Sequence, residues 1–322
     1  MNTGANDLIL TVKNIHKHYG SLVAVDDVHL DLRYREVHAV VGENGAGKST
    51  LMSILGGIVK RDEGEIVYKG KHVAFDSPME AIKAGIAVIH QELSMLPNLN
   101  IIENLFMGHM DSRFGFVLWK TLEKKALALL DQVGLAVDPY TQVSELSISD
   151  RQLVEIAKAL GLNADLIIMD EPNSSLTKSE TEQLFRVIRD LKQRGVSILY
   201  VSHKIDEVLT ISDRISVLRD GHYIGTLDRE QATVAKVIKM MVGRELDGGD
   251  IYGNHEKGEI ILDVRGISGE RFEDISFDVR KGEIVGLSGL VGAGRTEVAN
   301  AIFGLTPISA GSISLYQKPV QF

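Results

Sequence analysis

The sequence predicts an α/β fold with a mixed β core, a helical insertion, and the start of a second copy of its own first domain. Three observations carry this expectation. Short apolar runs of strand length alternate with amphipathic helical stretches. A glycine-rich loop, Gly42 to Gly47, stands between an apolar strand and a helix. A segment near the start recurs near the end: EVHAVVGENGAGKST from Glu36 aligns without a gap with EIVGLSGLVGAGRTE from Glu283, and GEIVYKGKHVAF from Gly64 with GSISLYQKPVQF from Gly311.

Taken in order, Leu8 to Val12, Val28 to Leu32 and Val37 to Val41 have the β-rich pattern of strands, and Lys48 to Leu55 has that of a helix opening at the glycine loop. A helical insertion is expected over about 93 to 160. Its first part, Leu93 to Gly134, is rich in Met, Leu and polar residues at helical spacing and is the expected docking face. Leu166 to Met169 and Val196 to Val201 are near-unbroken apolar runs, the pattern of central parallel strands buried on both faces. The amphipathic stretches Arg151 to Leu160 and Ser179 to Arg194 are their crossover helices. Glycine-bearing polar sequence, DGGDIYGNHEKG, marks a linker at 247–258 between a first domain, 1–246, and the start of a second, 259–322. The second copy reaches only the counterpart of Phe75, so a chain stopping inside that copy is expected, some 170 residues short on the order of the first copy's length.

Composition narrows the class. With 44% hydrophobic and 25% charged residues the chain is of ordinary globular make-up. Thirty-five basic against 44 acidic residues leave a net charge of −9, which argues against a nucleic-acid partner. The absence of cysteine excludes disulfides, thiolate metal sites and thiol nucleophiles, and fits a reducing cytoplasm. Neither a signal peptide nor an apolar run of about 18 residues is visible, so a membrane role is expected to come through a partner.

The chemistry begins at Gly42-Glu43-Asn44-Gly45-Ala46-Gly47-Lys48-Ser49, followed by Thr50, which matches G-x-x-x-x-G-K-[ST] with the required strand before and helix after. Glycines let successive N–H groups turn inward to cradle phosphate oxygens, and the helix start adds about half a positive charge. Lys48 is placed to reach the β- and γ-phosphates, and the Ser49 hydroxyl to ligate Mg²⁺. The second copy, Gly289 to Thr296, keeps the glycines but has Arg295 for the lysine, which is expected to impair hydrolysis there. Leu166 to Glu171 is an apolar strand ending in two carboxylates, Asp170 for the Mg²⁺ and Glu171 as general base on the attacking water.

Between these motifs the chain resembles the ABC (ATP-binding cassette) branch of the P-loop NTPases. Leu146-Ser147-Ile148-Ser149-Asp150-Arg151-Gln152 resembles the signature at the start of a helix, and Gln91 in IHQE matches the Q-loop. Ser174-Ser175-Leu176-Thr177 matches the D-loop, and His203 in VSHKIDEV the switch histidine. Tyr19 stands where these proteins stack an aromatic ring on adenine. The resemblance implies ATP as ligand, Gln91 as a metal and water contact, His203 as γ-phosphate sensor, and Ser147 as donor to the ATP of an opposing cassette in a cassette dimer. One departure is Ser149, which stands where such signatures usually keep a glycine.

The tandem layout, Arg295, DEPNSSLT and the MMVGREL string from Met240 to Leu246 resemble the ATPases of bacterial monosaccharide importers. That likeness implies a peripheral subunit on the cytoplasmic face of the plasma membrane. It would be docked to a transmembrane sugar permease and served indirectly by a periplasmic sugar-binding protein. Two other readings stand beside it: a nucleotide-binding regulator with poor hydrolysis, suggested by Ser149, and a soluble tandem ATPase acting on ribosomes, which would need a longer charged helical linker than 247–258.

Overall fold

The computed structural model describes residues 7–90, 94–114, 116–174, 176–243, 258–289 and 292–320. They belong to two compact units, Met1–Leu246 and Asp247–Phe322. Gln91 and nearly all of the expected linker lie outside the described residues.

The first unit runs β1 (Leu8–Tyr19), β2 (Leu22–Arg33), β3 (Val37–Val41), α1 (Lys48–Leu55), β4 (Glu63–Tyr68), β5 (Lys71–Val73), α2 (Pro78–Ala84), β6 (Ile86–Ile89), α3 (Ile101–Phe106), β7 (Ser112–Arg113), β8 (Phe116–Val117), α4 (Trp119–Gln132) and α5 (Ile148–Gly161). It continues through β9 (Leu166–Asp170), α6 (Lys178–Gln193), β10 (Ser197–Val201), α7 (Ile205–Ile211), β11 (Arg214–Arg219), β12 (His222–Asp228) and α8 (Val234–Val242). Ten strands join in the order β5-β4-β1-β2-β12-β11-β3-β10-β9-β6. The α/β class is as expected, and β6, β9, β10, β3 and β11 pair in parallel.

The central strands alternate sharply between two cores, the period-2 consequence of burial on both faces. Val37, Ala39 and Val41 of β3, with Ile167 and Met169 of β9, join the core shared with the helices α3 to α6. Val40, Ile168, Leu199 and Val201 face the other way, toward α1 and the β1–β2–β4 sheet. Thus α1 packs between the parallel strands and the β1–β2–β4 part of the same sheet, with Leu51 and Leu55 fully buried.

The first hairpin is longer than its sequence pattern indicates. Asn14 and Asp27 take left-handed backbone angles, φ 50° and 51°, and the Asn14 amide donates to Asp27 at 2.7 Å. The resulting bulges break the alternation that marks a strand while pairing continues to Tyr19 and Leu22. The insertion likewise holds a short hairpin, β7–β8, among its helices.

Beneath the glycine loop, His38 of β3 is wholly buried, and its Nε2 lies 2.7 Å from the Ser216 hydroxyl of β11. Burial, aided by the Arg214 guanidinium, holds this imidazole at a pKa of about 3. The folded protein therefore keeps His38 neutral while an unfolded chain protonates it below about 6.5. Its contribution to stability is complete above that pH and is lost as pH falls from there toward 3. Between pH 7 and 5.5 the loss from His38 is expected to be about 1 kcal/mol. Urea unfolding at the two pH values should show this difference shrink in His38→Gln.

The second unit comprises β13 (Ile260–Gly269), β14 (Phe272–Arg280), α9 (Arg295–Phe303), β15 (Ala310–Leu315) and β16 (Lys318–Pro319), in sheet order β14-β13-β15-β16. Val264, Ile267, Val298 and Ile313 form its small core. It repeats the first unit in detail: Glu283 accepts from the Arg280 amide as Glu36 does from that of Arg33. One segment differs. Residues 284–288, aligned with β3, are not in a strand, and Ile284 is 86% exposed. The fully buried β3 is flanked by β10 and β11, and the described second unit has no counterpart of either.

Candidate functional site

Three parallel strands deliver their carboxyl ends to one place. Val201 of β10 is in register with Asp170 of β9 on one side and Val40 of β3 on the other. The glycine loop, the carboxylate pair and His203 therefore leave the sheet side by side, at the strand ends where open α/β sheets form ligand crevices. A cavity of about 1030 Å³ opens there. Gly42, Glu43, Asn44, Gly45, Gly47, Lys48, Ser49 and Thr50 form one wall, and Glu171 and His203 stand opposite. Tyr19, Leu22, Val23, Ala24 and Met241 make the remaining, largely apolar end.

The loop's shape needs its glycines. Gly47 has φ 91°, and a Cβ there would lie 2.5 Å from the Ala24 carbonyl oxygen; one on Gly42 would lie 2.4 Å from that of Leu218. A side chain at either position would collide with backbone and fill the cradle. Ala46 behaves differently from its neighbours: its side chain is buried in the core beside α1 and its N–H bonds to Glu43 O at 3.1 Å. Its side chain supports the loop from behind.

Lys48 is only 6% exposed, and its Nζ donates to Gly42 O at 2.9 Å and Glu43 O at 3.0 Å. The ammonium is thus stretched across the mouth of its own loop. Burial pulls its pKa down, against the opposing pull of Glu171 and Asp170. Asp170 shows the converse: burial raises its pKa, a hydrogen bond from the Ser49 hydroxyl lowers it, and the Glu171 charge raises it again. Ser49 and Asp170 are therefore in contact, offering a hydroxyl and a carboxylate as hard oxygen donors, with a second carboxylate, Glu171, adjacent. That donor set fits Mg²⁺, which takes one or two carboxylates and completes its shell with water and phosphate. Among the described residues no group of three or more His, Asp or Glu side chains is placed to hold a metal ion.

How two successive residues can both serve the cleft is answered by the backbone. Glu171 adopts φ 48°, turning the chain at the strand end, and is fixed by its amide donating to Val201 O at 2.9 Å. Its Oε1 lies 2.9 Å from Nδ1 of His203. Tyr19 ends β1 with its ring 47% exposed at the apolar end, the Lys17 ammonium 5.5 Å from the ring centre. Ser147 is not in this cavity: it caps α5, accepting the Asp150 amide at 3.1 Å. Met241 was not anticipated as a lining residue, because it approaches from a helix distant in sequence; its only signal was the MMVGREL string.

A strand–glycine-loop–helix with an embedded lysine, facing an acidic strand end and a histidine, defines a P-loop nucleotide-binding cassette. The chain belongs to the ABC transporter family, which it matches over residues 25–174 and 272–322. It is 46% identical over 316 residues to the ribose import ATP-binding protein RbsA 3 of Rubrobacter xylanophilus, covering 97% of this chain and 63% of that protein. It is 48% identical over 317 residues to a putative ribose/galactose/methyl galactoside import ATP-binding protein 1 of Burkholderia ambifaria, covering 97% of this chain and 61% of that one. The chain thus spans less than two thirds of the length of these curated relatives. Among solved structures, the ADP conformation of MJ1267, an ATP-binding cassette of an ABC transporter, superimposes with a TM-score of 0.64 at 28% identity over 74% of this chain and 99% of that one.

Proposed function

We propose that this chain is the ATP-binding and ATP-hydrolysing part of a system that imports a monosaccharide through a membrane permease. The observation that carries the proposal is the convergence on one cleft of Lys48, the Ser49–Asp170 contact and the Glu171–His203 pair. In this reading the loop amides and Lys48 hold the β- and γ-phosphates. Ser49 and Asp170 hold Mg²⁺, with Gln91 as a further ligand by resemblance, and the metal supplies charge neutralisation at the phosphates. Glu171 accepts the proton of the attacking water, and His203, hydrogen-bonded to it, orients the carboxylate and contacts the γ-phosphate.

The partners follow from the relatives, whose names are those of import ATP-binding proteins. No helix among the described residues is long and apolar enough to cross a membrane, which suits a subunit held at the cytoplasmic face by a permease and served from outside by a periplasmic sugar-binding protein. Ser147, lying away from the Lys48 cleft, is suited to complete the site of a second cassette in a face-to-face dimer. No nucleic-acid partner is needed.

Calorimetric titration with Mg-ATP tests the reading at its base. Saturable binding is expected, and Tyr19→Ala should weaken it between about fivefold and a hundredfold, the range of one lost base–aromatic stack. Absence of Mg-ATP affinity in the unmodified protein would sink the proposal.

A further inference from the structure

Two successive residues hold the two ends of one turn. Nδ1 of His203 lies 2.9 Å from the Glu171 carboxylate, and Nζ of Lys204 donates to the main-chain carbonyl of Asn173 at 3.0 Å. With the bond from the Glu171 amide to Val201 O, the segment after β9 is therefore tied to the segment after β10 at three points. The same ammonium lies 3.3 Å from Oε1 of Glu207, in the first turn of α7. Lys204 is itself fixed by its amide, which donates to the hydroxyl of the buried Ser202 at 3.1 Å.

The turn needs such support. Glu171 sits in the left-handed region, which glutamate does not favour and which persists only where the surroundings impose it. Pro172 has no N–H to give. The bonds that the turn makes within itself are long, Ser174 N–H to Glu171 O at 3.2 Å and Leu176 N–H to Asn173 O at 3.3 Å. Asn173 is buried, and the bond from Lys204 to its carbonyl is strengthened by the charge of the ammonium. Glu207 holds that ammonium in place: burial pushes its carboxyl pKa up, and the Lys204 charge pulls against the rise. Neither Lys204 nor Asn173 lines the cavity that Lys48, Ser49 and Glu171 share.

We propose that Lys204 is a positioning residue for hydrolysis: its bond to the Asn173 carbonyl holds the 171–174 turn so that the Glu171 carboxylate stays against His203 and aimed into the cleft. The proposal rests on the reading above for the role of Glu171, whereas the tether to Asn173 does not depend on it. Because Lys204 does not line the cleft, its loss should slow turnover and spare nucleotide affinity.

Single-turnover hydrolysis and Mg-ATP titration on the whole chain test this. Lys204→Met, which keeps a long stem without the ammonium, should turn over about tenfold to a hundredfold more slowly, the scale of a misplacement on the order of 1 Å, with affinity near the unmodified value. Lys204→Arg, which keeps a charged donor, should recover most of the rate, and Glu207→Gln should show a smaller loss in the same direction. In a Glu171→Gln background Lys204→Met should add little, since both changes act on one group. Without nucleotide, hydrogen exchange should be severalfold faster in Lys204→Met for peptides containing the Ser174 and Leu176 amides; unchanged exchange overturns the tether. An unmodified rate in Lys204→Met, no recovery in Lys204→Arg, or additive losses with Glu171→Gln overturns the positioning role while Glu171→Gln alone stays impaired. Absence of Mg-ATP binding in the unmodified protein, or normal turnover in Glu171→Gln, instead refutes the nucleotide reading and the positioning role with it, and the exchange result then judges the tether alone.

Discussion

Replacement of Lys48 by alanine is expected to lower Mg-ATP affinity by at least a hundredfold and to abolish turnover. Lys48 is the one cation that the loop itself contributes to the cleft, and it is nearly buried, with its ammonium donating to two loop carbonyls. Swinging from those carbonyls to phosphate oxygens exchanges neutral acceptors for charged ones. Hydrogen bonds to charged groups contribute about 1.5–3 kcal/mol each, so two such bonds amount to a factor on the order of a hundred or more. The loss has a second component. Without the ammonium, Glu171 and Asp170 face the incoming phosphates with no basic side chain from the loop between them, and their repulsion adds to the missing attraction. Titration calorimetry and a phosphate-release assay measure the two effects. Tight binding with normal turnover in Lys48→Ala would refute the assigned role of the loop. Lys48→Arg should also be impaired, because a planar guanidinium cannot lie along the path of the slender ammonium between Gly42 O and Glu43 O; the same argument bears on the second copy, where Arg295 follows Gly294.

The parts of this fold that were legible in the sequence are those in which local pattern and tertiary burial demand the same residues. β3, β9 and β10 are buried on both faces, so the polar residues in them are few, His38, Ser197 and the terminal Asp170, and their apolar runs mark them directly. α1 was legible to the residue because it must begin where the glycine loop ends. The hairpin β1–β2 was only half legible, since its bulges at Asn14 and Asp27 displace the alternation. The segment 284–288 shows the reverse error: it has the pattern of β3 without the neighbouring strands that make β3 a strand, and pattern alone does not build a ladder.

The candidate site divides in the same way. The phosphate wall is a contiguous motif whose backbone geometry is written in its glycines, and the structure places all of it but Ala46 along the cleft. The apolar end is assembled from β1, β2 and α8, so Leu22, Val23 and Met241 bear no mark of their neighbours in the one-dimensional order. The left-handed turn at Glu171 was equally hidden, because glutamate has no preference for that conformation and only the surrounding structure imposes it.

That turn bears on the second large effect. Substitution of Glu171 by glutamine should reduce turnover by between about a hundredfold and ten-thousandfold, the range that general bases contribute, while Mg-ATP affinity stays equal or rises. A non-glycine residue at φ 48° costs of the order of 1–3 kcal/mol of backbone strain and persists only where the surroundings fix it. Here the Val201 carbonyl and the His203 ring do so, each at 2.9 Å. Glutamine has the same shape, keeps the backbone bond and can still accept from a protonated Nδ1 of His203, so the geometry of the cleft survives the change. What is lost is a basic oxygen aimed into the cleft and one negative charge near the phosphates. The first loss removes the acceptor for the water proton; the second relieves repulsion toward bound nucleotide, which is why binding and turnover should part company. Single-turnover hydrolysis set beside equilibrium binding of the same preparation reads both quantities. His203→Ala offers a contrast, since it frees the carboxylate from its partner but leaves its charge: turnover should fall without the gain in affinity. If Glu171→Gln hydrolyses ATP at the unmodified rate, the proton leaves by another route and Glu171 is a strand-end carboxylate held in place by His203.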